Sequence, residues 1–340
     1  MLKKNEDIKK EIIRILPKRI REVFEKIDFD YRNLTEIRLR ADKPILINYN
    51  NCERFINEYG GLSNLIEDAY VTCEEEIKEL LQYVCNYSVY AYEEDIKQGF
   101  ITIVGGHRIG LAGKVVIEGD KIKYIKNISC VNIRVSHQVI GCARKIMPYI
   151  FDEENNNIYH TLIVSPPMGG KTTLLRDIIR IISNESRVNS SITVGLVDER
   201  SEIAACYNGI PQNDIGIRTD IMDCCPKAEG MLMLLRSMSP KVIAVDEIGG
   251  QKDIEAIEYV INCGCKLLAT VHGKSVEDIR SKPLLGRLVR ERIFERYIIL
   301  NNYKKIGNVK EIFDMRGNIL LYDTLCDKEK YRHRKECGNE

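Results

Sequence analysis

The chain has 340 residues, of which 44% are hydrophobic and 30% are charged, and its formal net charge is +1. Single domains run to roughly 100–200 residues, so this length predicts two hydrophobic cores. A charge so close to neutral supplies no overall field that would attract nucleic acid or an anionic membrane. No apolar run approaches the roughly 18 residues needed to cross a bilayer, so we expect a cytoplasmic protein without membrane insertion. The 12 cysteines are scattered without a Cys-x-x-Cys pair, which favours reduced thiols over a zinc site.

Residues 1–137 predict a small α+β domain. Apolar residues at helical spacing indicate two consecutive helices over residues 5–28, interrupted at Pro17. A strand, a turn and a second strand follow. Arg38 and Arg40 in this hairpin could contact nucleic acid, but alternating arginines without interleaved aromatic residues are typical of a solvated sheet face. We therefore expect no specific nucleic-acid partner.

Turn and cap signals divide the rest of this domain. Thr72 and Glu75 form a capping-box signature ahead of a helical pattern, and Gly99 lies where a later helix would end. From residue 100 to residue 135, short β-rich runs punctuated by glycines predict an antiparallel meander. This half of the sequence shows no catalytic constellation.

A change of pattern marks the boundary with a second domain. A helix is expected over residues 138–149, and a polar stretch without apolar periodicity covers residues 152–157. The segment 138–157 would therefore connect the two domains. Residues 158–327 would form the second domain, and the charged residues 328–340 would form a disordered tail.

The second domain predicts a parallel sheet covered by helices. Short apolar, β-rich runs alternate with helix-like stretches, which is typical of βα units. The runs occupy residues 162–164, 192–197, 242–245 and 266–270. Ligands bind at the carboxyl ends of such strands, so polar residues that follow them are candidates for one shared site.

A phosphate-binding loop follows the first of these strands. The P-loop pattern has Gly-Lys-Ser/Thr between a strand and a helix, because backbone N–H groups surround the phosphates while the lysine reaches the β/γ oxygens. Ser165 stands where the pattern has its first glycine, at a position where we expect a tight turn. The loop predicts ATP binding. Its candidate nucleotide-binding residues are Ser165, Pro166, Pro167, Met168, Gly169, Gly170, Lys171, Thr172 and Thr173.

An acidic pair follows the third apolar run. The run over residues 242–245 ends in Asp246 and Glu247, the form expected of a Walker B segment. Asp246 would support Mg²⁺ together with Thr172, and Glu247 could orient and deprotonate an attacking water. The sequence thus predicts ATP and Mg²⁺ as the bound cofactors.

Two further runs end in polar residues. Glu199 follows one of them within Asp198-Glu-Arg-Ser-Glu202, and His272 follows the other. Considered singly, an acid after a strand is commonly a helix cap and a lone histidine is more often a packing residue. Together with the P-loop and the acidic pair, they predict four polar strand ends at one edge of the sheet.

The order of these motifs resembles the Walker A, Asp box, Walker B and His box of bacterial type II and type IV secretion ATPases. Nearly the whole chain is similar to the stage III sporulation protein AA family, on segments that include residues 36–40, 132–136, 211–220 and 225–230. The resemblance implies an α/β fold. Specifically, it implies a RecA-like P-loop NTPase domain with a helix-covered, mostly parallel sheet, preceded by a smaller α+β N-terminal domain.

The resemblance also implies a function. It points to a Mg²⁺-dependent ATPase that assembles as a hexameric ring in the mother-cell cytoplasm. Membrane proteins of a channel complex between mother cell and forespore would recruit it. Glu247 would be the general base, Glu199 would assist with water or metal, and His272 would sense the γ-phosphate.

In such a ring, an arginine of one subunit would reach the nucleotide of the next. Arg218 falls where secretion ATPases place a basic residue facing the neighbouring subunit, and it is the candidate arginine finger. Arg134 and Arg200 are the alternatives. For each of the three, a local role as a helix cap or an ion-pair partner stays open.

Two other functions remain open at this stage. A nucleotide-gated scaffold would bind ATP in order to assemble but would scarcely hydrolyse it, and Ser165 in the P-loop keeps this alternative open. A RecA-type motor would require stimulation by single-stranded nucleic acid with a strong salt dependence, which the near-neutral charge disfavours. The leading prediction is an oligomeric ATPase that drives or gates a secretion-like channel assembly.

Overall fold

The chain divides into two compact units. The computed structural model describes residues 5–184, 192–301 and 307–322. Unit 1 is drawn from Met1–Gln138 and Ala205–Asn213, and unit 2 from Val139–Ala204 and Asp214–Glu340. Residues 205–213 therefore belong to unit 1 although unit 2 surrounds them in sequence, which no sequence pattern predicts. The predicted tail, 328–340, lies outside the described residues.

Unit 1 is an α+β fold around an antiparallel sheet. Its helices are α1 (Asn5–Ile15), α2 (Lys18–Lys26), α3 (Glu74–Val84) and α4 (Glu93–Gln98). Its strands are β1 (Leu34–Arg40), β2 (Lys43–Pro44), β3 (Leu46–Tyr49), β4 (Cys52–Ile56), β5 (Leu62–Ser63), β6 (Val71–Thr72), β7 (Phe100–Thr102), β8 (Arg108–Glu118) and β9 (Lys121–Arg134). Seven strands form one sheet in the order β5-β4-β3-β1-β9-β8-β7, while β2 pairs with β6.

The predicted helices and meander of unit 1 are confirmed. Pro17 is the N-cap of α2, so α1 ends before it and α2 begins after it. This position suits proline, since the first helical turn has unpaired N–H groups anyway. Helix α4 ends at Gly99, whose φ of +85° favours glycine. The strands β7, β8 and β9 form the antiparallel meander.

The capping box of α3 lies one residue later than predicted. Cys73 is the N-cap, and its backbone N–H donates to the carboxylate of Glu76 rather than Glu75. Thr72 cannot take the cap position because it is the buried last residue of β6. Strand pairing therefore shifts the start of the helix.

Unit 2 is an α/β fold. Its helices are α5 (Met147–Ile150), α6 (Lys171–Asn184), α7 (Lys227–Met238), α8 (Gln251–Asn262), α9 (Val276–Ser281) and α10 (Leu285–Arg290). Its strands are β10 (Phe151–Asp152), β11 (Asn157–Ile158), β12 (Thr161–Ser165), β13 (Val194–Asp198), β14 (Thr219–Asp223), β15 (Val242–Val245), β16 (Lys266–His272), β17 (Arg296–Leu300), β18 (Val309–Asp314) and β19 (Ile319–Tyr322). The eight-stranded sheet has the order β14-β13-β15-β16-β12-β17-β18-β19.

The predicted parallel sheet is confirmed. The six strands from β14 to β17 are parallel neighbours, and β18 and β19 add an antiparallel edge. Every residue of β12, β13 and β15 is buried, as expected where helices cover both faces of a sheet. Ser165 pairs with His272, so β12 and β16 end side by side.

The helix predicted over residues 138–149 is wrong in extent, because only α5 is helical. The carboxylate of Asp177, on α6, accepts the backbone N–H groups of Gly141 and Ala143 at 3.0 and 2.8 Å. Gly141 also has a φ of +89°. These bonds hold the chain in turns where the apolar spacing alone predicts a helix.

The polar stretch over residues 152–157 is not an open linker. Its ends pair as strands β10 and β11, and Asp152 accepts a hydrogen bond from the side chain of Asn155 at 2.7 Å. The stretch therefore forms the turn of a hairpin within unit 2. Among the described residues, no helix is both long and apolar enough to cross a membrane.

Candidate nucleotide site

The loop between β12 and α6 presents free amide groups. Within the described part of the chain, no oxygen accepts the backbone N–H groups of residues 170–173. These groups stand at the start of a 14-residue helix, where the helix dipole also favours an anion. Met168 and Gly170 have positive φ values of +61° and +86°, which turn the backbone within the loop. The loop is therefore shaped to receive a phosphate group.

Ser165 is compatible with this loop, and the expected tight turn at its position is wrong. It has no positive φ and continues the extended strand β12. Its buried hydroxyl donates to the carbonyl oxygen of Pro166 at 2.8 Å, and its own carbonyl oxygen accepts the N–H of Gly273 at 3.0 Å. A side chain at this position therefore causes no backbone strain.

Lys171 brings three of the predicted residues together. Its Nζ atom donates to Glu247 Oε2 at 2.8 Å and lies 3.1 Å from His272 Nε2. It also lies 4.0 Å from Asp246 Oδ1. The imidazole Nε2 of His272 is in turn 3.3 Å from the other oxygen of Glu247. The sheet edge predicted from the sequence thus gathers these four side chains at the P-loop.

Asp246 is held by hydroxyl groups from two directions. The hydroxyl of Thr172 donates to Asp246 Oδ2 at 2.9 Å. The hydroxyl of Thr270 donates to Oδ1 and accepts the backbone N–H of Glu247 at 2.9 Å. Glu247 adopts a φ of +51°, which is uncommon for a residue other than glycine, and the bond to Thr270 supports this conformation.

Thr270 was not among the predicted site residues. It is completely buried, and it precedes His272 by two residues in β16. Residues two apart in a strand share one face of the sheet, so the position of His272 was the one signal in the sequence that pointed to Thr270.

The charges around Glu247 favour its ionised form. Burial raises the pKa of its carboxyl, but the hydrogen bond and charge of Lys171, with contributions from His272 and Arg200, hold the pKa below its ordinary value. A carboxylate that is ionised at neutral pH can accept a proton.

Asp198 is a structural residue of the loop after β13. Its carboxylate accepts the backbone N–H groups of residues 202, 203 and 204, each at 2.9 Å. Burial raises its pKa to about 6, although these three bonds act in the opposite direction. The buried guanidinium of Arg176, on α6, donates to the carbonyl oxygens of Glu202 and Ile203. The helix that follows the P-loop is thereby joined to this loop.

Glu199 is engaged elsewhere. Its carboxylate forms an ion pair with Lys227, at the start of α7. Within the described residues, it makes no hydrogen bond or ion pair with the P-loop or with Asp246. Its predicted assistance with water or metal stays a prediction.

The three candidate arginines occupy different places. Arg200 NH1 lies 3.9 Å from Glu247 Oε2, so its exposed side chain belongs to the site of its own chain. Arg218 directly precedes β14, so it lies at the N-terminal ends of the parallel strands, away from the P-loop. It donates to the carbonyl oxygen of Ser183 at 2.7 Å. It thus caps the C-terminus of α6. Arg134 is the last residue of β9 in unit 1.

The oxygen donors at the site fit Mg²⁺. The ion prefers octahedral oxygen ligands and commonly binds through one or two carboxylates together with substrate phosphates and water. The Thr172 hydroxyl and the Asp246 carboxylate, 2.9 Å apart, are such donors. Across the described residues there is no cluster of three or more His, Cys, Asp or Glu residues that could hold a metal ion. The donor set therefore suits an ion that shares its coordination with a nucleotide.

The parallel sheet, the P-loop and the acidic strand end define a RecA-like P-loop NTPase fold. Two solved structures share it. The Legionella pneumophila ATPase DotB gives a TM-score of 0.50 at 17% identity, over 79% of this chain and 72% of that chain. The pilus retraction motor PilT with bound ADP gives a TM-score of 0.53 at 16% identity, over 96% and 89%. The fold is that of the secretion ATPases, as the motif order predicts.

The family assignment rests on sequence. The model of the family described as sporulation stage III, protein AA, matches residues 6–320. Stage III sporulation protein AA of Bacillus subtilis (strain 168) is 39% identical over 315 residues, which are 92% of this chain and 98% of that protein. The chain belongs to the sporulation stage III, protein AA family.

Proposed function

We propose that this protein is a Mg²⁺-dependent ATPase that drives or gates a channel complex during sporulation. The observation that carries the proposal is the convergence of Lys171, Glu247 and His272 beside four P-loop amides that donate to no oxygen of the described residues. A lysine at a phosphate cradle, beside a carboxylate that can act on water, is an arrangement that phosphoryl transfer uses.

The P-loop would bind the phosphates of ATP. The N–H groups of residues 170–173 would donate to phosphate oxygens, and Lys171 would exchange its contact with Glu247 for a β/γ oxygen. This exchange would free the carboxylate of Glu247. Thr172 and Asp246 would hold Mg²⁺, which when bound draws negative charge from the phosphate oxygens.

Glu247 would then act on water. An ordinary carboxyl group is ionised at neutral pH, so the freed Glu247 could accept a proton from a water that attacks the γ-phosphate. A positioned general base contributes a rate factor of roughly 10² to 10⁴. His272, in contact with both Glu247 and Lys171, would detect whether the γ-phosphate is present.

Assembly is the second part of the proposal. The secretion-ATPase fold and membership in a sporulation family support a ring, six subunits, a location in the mother-cell cytoplasm, and recruitment by membrane proteins of a channel complex. Arg218 stays our candidate for the residue that acts on the neighbouring subunit's nucleotide. Its bond to Ser183 would have to be exchanged for that contact.

The geometry of the P-loop does not favour the alternative of a nucleotide-gated scaffold. It rested on Ser165, and the extended backbone there causes no strain. The arrangement of Glu247 and Lys171 favours turnover over binding alone.

A concentration series tests the proposal. ATP turnover per subunit is measured across protein concentrations, while the oligomeric state is determined in ADP and in a non-hydrolysable ATP analogue. We expect turnover per subunit to rise over the concentrations at which the ring forms in the analogue. Assembly in the analogue without any turnover would instead show a scaffold, and turnover independent of concentration would show a monomeric enzyme.

A further inference from the structure

A small pocket lies in unit 1, beside α1. Its volume is about 180 Å³, and it is independent of the residues discussed for ATP. The buried side chains of Ile15, Val84 and Ile103 line it with apolar surface. Pockets for small-molecule ligands measure roughly 300–1,000 Å³, so this volume suits a single large side chain instead.

Two cations at the pocket have no partner among the described residues. Lys10 and Arg14 are four residues apart on α1 and therefore lie on the same side of the helix. Within the described residues, neither side chain makes a hydrogen bond or an ion pair. Their charges are available to a ligand.

The acidic residue between these cations is bound to a buried histidine. Glu11 accepts a hydrogen bond from His107 Nε2 at 2.9 Å. The other ring nitrogen, Nδ1, accepts the backbone N–H of Ser136 at 3.0 Å, so the ring proton of the neutral histidine is on Nε2. Glu11 is thus engaged with His107, and within the described residues it forms no ion pair with Lys10 or Arg14.

Tyrosines form the rim of the pocket. Asn86 Nδ2 donates to the hydroxyl of Tyr207 at 3.1 Å, and the ring of Tyr83 meets that of Tyr87 edge to face at 5.9 Å. Asn86 and Tyr87 both have positive φ values, of +47° and +60°, and Tyr87 is 73% exposed. Tyrosine is enriched among the residues that carry the binding energy of protein interfaces, so an exposed tyrosine ring at the rim suits a binding surface.

We propose that this pocket binds a peptide segment of a partner protein, in which a carboxylate stands next to an apolar or aromatic side chain. The apolar side chain fills the space against Ile15, Val84 and Ile103. The carboxylate lies between Lys10 and Arg14, which supply the charge that it requires. Tyrosine and arginine are residue types that carry much of the energy of protein interfaces.

The test uses defined peptides and NMR of isoleucine methyl groups in the full chain. Ile15 and Ile103 report on the pocket directly. The probe is N-acetyl-phenylalanyl-aspartate amide, and its matched control is N-acetyl-phenylalanyl-asparagine amide, which has the same shape without the charge. We expect saturable shifts of both methyl signals at roughly millimolar concentrations of the aspartate probe, and binding weaker by about fivefold for the control.

Variants locate the contact. Lys10→Gln and Arg14→Gln should each weaken binding of the aspartate probe by about fivefold, because each removes one unpaired charge. Lys18→Gln makes the same change on the exposed start of α2 and should bind as the parent does. The methyl spectrum of each variant also verifies its fold.

Several results would overturn the proposal. Equal binding of the asparagine control would show that the two cations do not contribute to recognition. Equal binding of N-acetyl-glycyl-aspartate amide, or of inorganic phosphate, would show an anion site without a side-chain pocket. Shifts of Ile15 and Ile103 that depend on protein concentration without peptide, and that Lys10→Gln and Arg14→Gln abolish, would assign the pocket to a second copy of the chain. The absence of any shift would exclude a site.

Discussion

Thr270 and Asp246 are joined across neighbouring strands, because the hydroxyl of Thr270 on β16 donates to the carboxylate that follows β15. The same oxygen of Thr270 accepts the N–H of Glu247 at 2.9 Å. One buried hydroxyl therefore orients the residue proposed to hold Mg²⁺ and the residue proposed to act on water. Thr270 is a positioning residue of the site.

The substitution Thr270→Val removes this hydroxyl with little change of shape. It leaves buried polar groups unpaired, at a cost of about 1–3 kcal/mol. We expect kcat to fall by about tenfold or more, while the affinity for ATP changes little, since the P-loop amides remain. Steady-state kinetics and nucleotide-binding titrations check this result. Thr270→Ser keeps the hydroxyl and should keep most of the activity, and a valine variant as active as the parent would remove the positioning role.

Asp198 predicts a pH dependence of stability. Its pKa is raised from 3.8 to about 6 in the folded protein. Its contribution is therefore most favourable below pH 4, is lost as the pH rises through 6, and is constant above that. The difference between the two pKa values corresponds to roughly 3 kcal/mol.

The comparison of Asp198→Asn with the parent isolates this group. Denaturant unfolding is measured from pH 4 to pH 8, and the difference in the free energy of unfolding between the two proteins is plotted against pH. We expect the parent to lose stability relative to the variant between pH 4 and 6. A difference that does not change with pH would show that Asp198 titrates in the folded state as it does in the unfolded chain.

Arg200 and Arg218 should differ in how the effect of their substitution depends on assembly. Arg200 lies near Glu247 of its own chain, so Arg200→Ala should change the turnover of monomer and ring alike. Arg218 lies at the N-terminal ends of the parallel strands, and Arg218→Ala should lower turnover by about tenfold or more only in the assembled state.

Turnover measured below and above the assembly concentration separates these cases. Because Arg218 also caps α6, the thermal unfolding of Arg218→Ala is measured as a control. A loss of turnover of the same size in the monomer and in the ring, each compared with the parent, would contradict a role for Arg218 between subunits, as would a ring of this variant that is as active as the parent ring.

The sequence predicts the site well where reactive polar residues directly follow apolar strands. Parallel strands end at one edge, so Lys171, Asp246, Glu247 and His272 could be placed together before their distances were known. Thr270 was not placed there, since a threonine inside an apolar strand has no distinctive chemistry and only its spacing from His272 pointed to it.

The remaining differences arise from contacts distant in sequence. The carboxylate of Asp177 binds the backbone at Gly141, so turns form where a helix was predicted. Thr72 pairs within a strand, so the N-cap of the next helix lies one residue later than predicted. The grouping of residues 205–213 with unit 1 is likewise a property of the folded chain. Local patterns do not contain such information.

The most direct measurement is ATP hydrolysis by the parent, by Glu247→Gln and by Lys171→Ala, with nucleotide binding determined for each. We predict that the parent hydrolyses ATP when Mg²⁺ is present. Glu247→Gln should bind ATP but lose about 10²-fold or more in turnover, and Lys171→Ala should not bind it. Hydrolysis by Glu247→Gln at the parent rate would contradict the assignment of Glu247 as the general base, and binding by the parent without hydrolysis would contradict the proposed activity itself.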